Sequence, residues 1–267
     1  MSRRFVRCIE SGVEYRVQSQ SRWREAGRDL RASLEISISN PRCTGRFLEC
    51  QLAWARRHFD SFEFSLGDTL RVHNYTTIGH PLHGRLLPEA AWRVAREEGD
   101  RWLESNGAVI QRMLATAPYA VVRWDDWKRD RGFAPRFRHL RDAYDAHPQF
   151  REAVDDQLAA FLARQRFTGD CPLSELAVYL LEEFAVYQLQ AERRPTVNIY
   201  AGGMMKIERR LPSFPFIPRS LAFRHYVYLD IRDRPPADGR TAAGPRRARR
   251  GTAGQGEHGS GWAPAPP

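Results

Sequence analysis

The sequence predicts an α/β fold in which a parallel sheet is sandwiched between helices. Two observations carry this. Short runs of alternating apolar and polar residues are each followed by a longer stretch with apolar residues at helical spacing, and this succession continues through most of the 267 residues. Strands that alternate with helices join by crossover connections, which gives parallel pairing with helices on the faces of the sheet. No internal repeat interrupts the pattern.

The elements follow in order. Leu34-Glu35-Ile36-Ser37-Ile38 alternates strictly and reads as a strand. Leu48, Leu52, Ala55 and Phe59 have helical spacing. Phe62, Phe64 and Leu66 alternate again, and a long helix fits 87–105. Tyr119 to Trp124 is a β-rich run. Phe150, Val154, Leu158, Phe161 and Leu162 form one helical stripe, and Leu173, Leu176, Ala177, Leu180, Leu181 and Phe184 form another. Thr196 to Tyr200 and Ala222 to Ile231 are the last strands. In such a sheet ligands bind outside the C-terminal ends of the strands, and Ser37, Asp68 and Tyr200 fall at or near such ends.

Three regions result. Residues 1–30 are a basic N-terminal segment, 31–234 a catalytic domain, and 235–267 a tail rich in Pro, Gly, Ala and Arg. The tail carries too few large apolar residues to offset its ordering entropy and is expected to be disordered. No apolar run approaches the roughly 18 residues of a membrane span. The arginine-studded N-terminus lacks the uninterrupted apolar core of a secretory signal, so a cytoplasmic protein is expected. Cys8, Cys43, Cys50 and Cys171 form no CxxC pair; buried thiols are expected rather than a disulfide framework or a metal site.

The net charge is +10, and all but two of the 42 basic residues are arginine. In 236–267, Arg240, Arg246, Arg247, Arg249 and Arg250 stand against Asp238 and Glu257, so most of the excess lies in the body. A soluble basic body attracts polyanions, nucleic acid among them.

Three places could carry chemistry. Ser37 precedes the turn-forming cluster Ser39-Asn40-Pro41; a serine acts as a nucleophile only beside a base or with an activated substrate. In VYLLEEFAVYQLQ (178–190), Tyr179 and Glu183 are one helical turn apart and share a face at the border of the apolar stripe. A half-buried carboxylate there would have a raised pKa, suited to proton transfer near neutrality. Glu182, pointing away from the stripe, is expected to be a solvated surface charge. His80 and His83 have HxxH spacing, but no acidic partner is evident, so no metal is expected.

As an ordered set these segments resemble the cyclodipeptide synthases. ISISNPRCTGRFL (36–48) resembles the strand and turn of the family's catalytic serine, with Gly45 eight residues on. DTLRVHN (68–74) resembles the motif after its second strand, and RWDDW (123–127) the end of its third. YLLEEFAV (179–186) resembles the helix with its essential tyrosine and glutamate, and VNIYAGG (197–203) the strand ending in a second functional tyrosine. The resemblance covers roughly 30–230.

It implies a Rossmann-like fold akin to the catalytic domain of class I aminoacyl-tRNA synthetases. It implies transfer of two aminoacyl groups from aminoacyl-tRNAs through a serine ester, with release of a cyclic dipeptide. Ser37 is then the nucleophile, Tyr179 and Tyr200 position the aminoacyl group, and Glu183 holds its ammonium and shuttles protons. Asn40 and Asp68 contribute to substrate binding. Arg93, Arg96 and Arg101, on the helix at 87–105, contact tRNA. No cofactor and no protein partner are implied, and a monomer is expected. Two positions depart from the family: Glu35 stands where Gly often precedes the serine by two residues, and Ala201 follows the second tyrosine where His or Pro is usual.

Other enzymes fit less well. GxSxG and GxGxxG are absent. With only Lys128 and Lys206, no KMSKS loop of a synthetase can be written. A non-catalytic tRNA-binding module is the alternative of a different class; it explains the charge but leaves Ser37 and the Tyr179–Glu183 pair without a role.

Overall fold

The computed structural model describes residues 5–19, 23–25, 30–193 and 196–233. The strands are β1 (Val6–Arg7), β2 (Glu14–Gln18), β3 (Arg31–Ile36), β4 (Phe62–Leu66), β5 (Tyr119–Arg123), β6 (Thr196–Ala201) and β7 (His225–Arg232). The helices are α1 (Gly45–Arg56), α2 (Val72–Thr77), α3 (Pro88–Leu114), α4 (Trp124–Arg129), α5 (Phe133–Ala146), α6 (Pro148–Arg164), α7 (Leu173–Arg193), α8 (Lys206–Arg210) and α9 (Arg219–Ala222).

Among the described residues the seven strands form one sheet in the order β1-β2-β7-β6-β3-β4-β5. The five from β7 to β5 are parallel, as the sequence predicts. The sheet as a whole is mixed. Residues 6–18, set apart in sequence as part of a basic segment, form a hairpin that adds β2 antiparallel to β7. The tail at 235–267, expected to be disordered, lies outside the described residues.

β3 is the first strand of the parallel set and lies at its centre. The chain proceeds from it to β4 and β5 on one side, then returns to β6 and β7 on the other. The order therefore switches between β3 and β6, and the crevice at such a switch point is where open α/β sheets bind ligands.

The two faces of the parallel strands differ. On one, Ala32, Leu34 and Ile36 of β3, Phe62, Phe64 and Leu66 of β4, Val197 and Ile199 of β6, and Val227, Leu229 and Ile231 of β7 join α1 and α3 in one apolar core. The alternate residues on the other face are polar or phenolic: Ser33, Glu35, Ser65, Asn198, Tyr226 and Tyr228, all buried. That face lies under α7. A second apolar core, built by helices α4 to α9, sits on the far side of α7.

Candidate active site

The site forms where β3 and β6 end. Ser37 follows the last residue of β3, and its backbone oxygen accepts from Asn40 N at 2.9 Å. Asn40 caps the short turn Pro41–Cys43 by accepting from Arg42 N at 3.0 Å. Gly45 then opens α1 in the left-handed region (φ +50°), which favours glycine. Two side chains of α3 pin this turn: Trp102 Nε1 donates to Cys43 O at 3.0 Å, and Asn106 Oδ1 accepts from Gly45 N at 3.3 Å.

Tyr200 arrives on the neighbouring strand, paired in register with Glu35. Asn40 Nδ2 donates to its hydroxyl at 3.1 Å and to Ala201 O at 2.8 Å, binding the Ser37 turn to the end of β6. Burial raises the Tyr200 hydroxyl well above the ordinary phenol range, and Cys43 and Glu183 add to the rise. It is therefore a neutral hydrogen-bonding group at any ordinary pH.

α7 crosses above. Tyr179, Glu183 and Tyr187 follow one another at single-turn intervals. Tyr179 stacks on Phe161, with centroids 6.3 Å apart. Tyr187 donates its hydroxyl proton to Glu183 Oε1 at 2.7 Å. Burial lifts the Glu183 carboxyl to about 7; the Tyr187 hydrogen bond works against the rise, while Glu208 and Glu35 add to it. Glu183 can therefore take up and release a proton near neutrality. Tyr187 is held in turn by Arg224, whose guanidinium lies 4.8 Å from its ring centre. Arg224 is itself buried in an ion pair with Glu208, which also accepts from Tyr228.

Ser37, Tyr179, Glu183, Tyr187 and Tyr200 line one cavity, open to solvent and about 350 Å³ including its mouth. Glu35 and Ser65 lie in its wall, with Ile36, Gly67, Leu70 and Trp124 as the apolar remainder. Of the residues singled out in sequence, Ser37, Tyr179, Glu183 and Tyr200 meet here, and Asn40 touches Tyr200 from behind. Tyr187 was missed, though its place four residues after Glu183 and eight after Tyr179 was a usable signal.

Asp68 lies off the cavity. It is fully buried, paired with Arg123 at 2.6 Å, and accepts from Trp124 N at 3.3 Å. The close fit requires Gly99 of α3, where a Cβ would meet Asp68 Oδ2 at 2.8 Å. Asp68 thus reaches the cavity only by setting Trp124 at the start of α4.

Glu182 corrects a sequence expectation. It is 4% exposed rather than solvated. α2 and α4 cover that side of α7, and Glu182 accepts from Trp124 Nε1 at 3.2 Å and Lys128 Nζ at 2.9 Å, with His73 Nε2 at 3.1 Å. Burial opposes its ionisation, but His73 and Lys128 outweigh that and hold its pKa below the usual range.

Arg93 and Arg101 on α3 are exposed and Arg96 is half-buried. Among the described residues no carboxylate forms an ion pair with any of the three. Glu98 faces Arg71 at 3.0 Å and His80 at 3.2 Å, and also accepts from Tyr75. His83 stacks on His80. No group of three or more metal-ligating side chains occurs among the described residues, and no helix among them is long and apolar enough to cross a membrane.

No family model matches the sequence, and no curated protein does. Solved structures do match. A cyclodipeptide synthase from Fluoribacter dumoffii aligns with TM-score 0.67 at 20% identity, covering 82% of this chain and 99% of that one. A Mycobacterium tuberculosis protein, whose structure relates cyclodipeptide synthetases to type I tRNA synthetases, aligns with TM-score 0.58 at 14% identity over 88% and 99% of the two chains. The cyclodipeptide synthase from Candidatus Glomeribacter gigasporarum, solved bound to Phe-tRNAPhe, aligns with TM-score 0.54 at 16% identity over 83% and 94%. From β1 to β7, this chain has the α/β fold of the cyclodipeptide synthases, the fold related to type I tRNA synthetases.

Proposed function

We propose that the chain is a cyclodipeptide synthase, an aminoacyltransferase that joins the aminoacyl groups of two aminoacyl-tRNAs and releases a 2,5-diketopiperazine. The observation that carries this reading is the convergence of Ser37 with Tyr179, Glu183 and Tyr200 on one cavity at the switch point of the sheet.

An aminoacyl-tRNA is an activated ester, so its transfer needs position, one nucleophile and a proton shuttle, and neither ATP nor a metal. The Ser37 hydroxyl attacks the ester carbonyl; its proton passes to the departing ribose oxygen, and aminoacyl-Ser37 remains. The amine of that group attacks the ester of a second aminoacyl-tRNA, forming a peptide bond and freeing the second tRNA. The terminal amine of dipeptidyl-Ser37 then attacks the serine ester, and the cyclic dipeptide leaves as Ser37 regains its proton. Glu183, with its carboxyl poised near 7, takes the proton from each incoming ammonium and returns it to each leaving oxygen. Tyr179 and Tyr200 hold the aminoacyl group, Asn40 fixes Tyr200, and Asp68 acts through Trp124.

The basic body supports a polyanionic partner, as do Arg93, Arg96 and Arg101 on α3, which pair with no described carboxylate. The enzyme works as a cytoplasmic monomer, with no protein partner, where charged tRNA is at hand. The test is mass spectrometry on the medium of a bacterial host expressing the protein, beside a Ser37→Ala control. Cyclic dipeptides that appear only with the native chain are expected. Their absence, with soluble protein and an intact tRNA supply, would favour a non-catalytic tRNA-binding module.

A further inference from the structure

Of the 42 lysines and arginines, Arg224 is the only one among the described residues that is buried, at 5% exposure. It stands between α9 and β7 and pairs with Glu208 of α8, itself 2% exposed. Neither residue lines the cavity. Desolvating two charges offsets their attraction, so a buried ion pair adds little stability over apolar residues of like volume. What this pair does is hold tyrosines. The Arg224 guanidinium lies 4.8 Å from the ring centre of Tyr187 and 4.9 Å from that of Tyr226, and its Nη1 donates to Leu221 O at 3.3 Å. Glu208 meets Arg224 with one oxygen and accepts from the Tyr228 hydroxyl with the other. Two of these tyrosines lead back to the cavity. Tyr187 donates to Glu183 Oε1 at 2.7 Å, and Tyr228 packs edge-on against Tyr200, with centroids 6.0 Å apart at 74°.

We infer that the buried Glu208–Arg224 pair positions the reacting groups, bracing Glu183 through Tyr187 and Tyr200 through Tyr228. The inference rests on the acyl transfer proposed above, in which Glu183 moves protons and Tyr200 holds the aminoacyl group. Neither Glu208 nor Arg224 touches substrate; each acts through a ring. Arginine suits the place because its planar fork can meet a carboxylate while its face lies on aromatic rings. The pair also sets the charge around Glu183. The titratable and charged groups there are Tyr179 and Tyr187 of α7, Glu35 of β3, Tyr200 of β6, Glu208 of α8, Tyr228 of β7 and Arg224 before it. Arg224 is the one cation of this set. It favours the ionised carboxylate, and Glu208 favours the protonated form.

The experiment measures turnover of charged tRNA to cyclic dipeptide against pH, with Ser37 acylation read by intact-protein mass and folding by thermal unfolding, all on the full chain. Glu208→Gln leaves the cation unmatched beside Glu183, so the acidic limb of the pH–rate profile should move down by roughly one pH unit. Arg224→Met leaves the carboxylate unmatched, and the limb should move up. The double variant Arg224→Met/Glu208→Gln strands no charge and should stay folded. It should still lose about 10–100-fold in kcat with KM little changed, because the substrate contacts remain and only their alignment is lost. Native kcat in the folded double variant, or limbs that move the same way in the two single variants, overturns the inference and leaves the reaction standing. A native chain that neither acylates Ser37 nor forms cyclic dipeptide overturns both.

Discussion

The two faces of the parallel strands obey opposite rules. Under α1 and α3 the buried inward side chains of β3, β4, β6 and β7 are aliphatic or aromatic, and their burial stabilises the fold by roughly 1.5–3 kcal/mol per large residue. Under α7 the inward side chains are Ser33, Glu35, Ser65, Asn198, Tyr226 and Tyr228, and Glu183, Tyr187, Gln190, Glu208 and Arg224 meet them. Burying such groups is costly unless each is hydrogen-bonded. A parallel sheet covered by helices on both sides ordinarily has apolar strands throughout. Departure from that on one face marks where stability gives way to chemistry.

Substitutions on the two faces should therefore separate activity from stability. The largest effect belongs to Glu183→Gln, which removes the proposed proton shuttle under a closely matched shape. It should lower cyclic-dipeptide formation by about 10²–10⁴-fold, measured as turnover with charged tRNA, without lowering thermal stability. On the apolar face, Phe64→Ala should cost about 3–5 kcal/mol in denaturant unfolding, with turnover per folded molecule preserved. If the two phenotypes exchanged, the division of labour between the faces would be refuted.

Proton linkage sharpens the contrast. Glu35 and Glu183 are both held at about 7 by burial, above an unfolded value of 4.5. Such carboxyls bind protons more tightly folded than unfolded, so they favour the folded state at low pH, and that advantage is lost as pH rises from 4.5 to 7. Relative to the native protein, Glu35→Gln should therefore gain stability across this window and level off above it. A difference flat with pH would mean that the carboxyl is not desolvated.

Tyr187→Phe deletes the hydrogen bond that restrains the Glu183 pKa. The acidic limb of the pH–rate profile should move to higher pH, and turnover near neutrality should fall roughly tenfold. The smallest effect is electrostatic. Reversing Arg93 and Arg96 to Glu should weaken tRNA binding. It should also flatten the salt dependence of binding, by about one unit of slope for each phosphate no longer neutralised.

The same asymmetry explains what the sequence discloses. Strict alternation in Leu34–Ile38 and in Phe62–Leu66 marks β3 and β4 because one face is apolar and the other is not. Had both faces been apolar, these runs could not be told from buried helix by pattern alone. Ser37, Tyr179, Glu183 and Tyr200 were legible as ordered motifs. Glu182 was misjudged because a helical wheel records one partner face, whereas α7 is enclosed by the sheet, α5 and α6, and also by α2 and α4. α5 was not assigned from the sequence, and it carries Pro135. This proline sits in the first turn, where the lost N–H has no helical partner to forgo. α3 outruns its expected end at 105 because Gly107 costs only about 1 kcal/mol and Ile110 and Leu114 continue the buried stripe. β2 offered only Tyr15 and Val17 among charges, and its partner β7 lies more than 200 residues away, a pairing local pattern cannot reveal.

The central claim is that Ser37 accepts an aminoacyl group. The most direct measurement incubates the purified protein with aminoacyl-tRNA, quenches in acid, and maps the adduct by peptide mass spectrometry. The account predicts one aminoacyl residue, released by mild base as an ester should be, on the peptide bearing Ser37, and none in Ser37→Ala. An adduct at another residue, or none while cyclic dipeptide still forms, would contradict it.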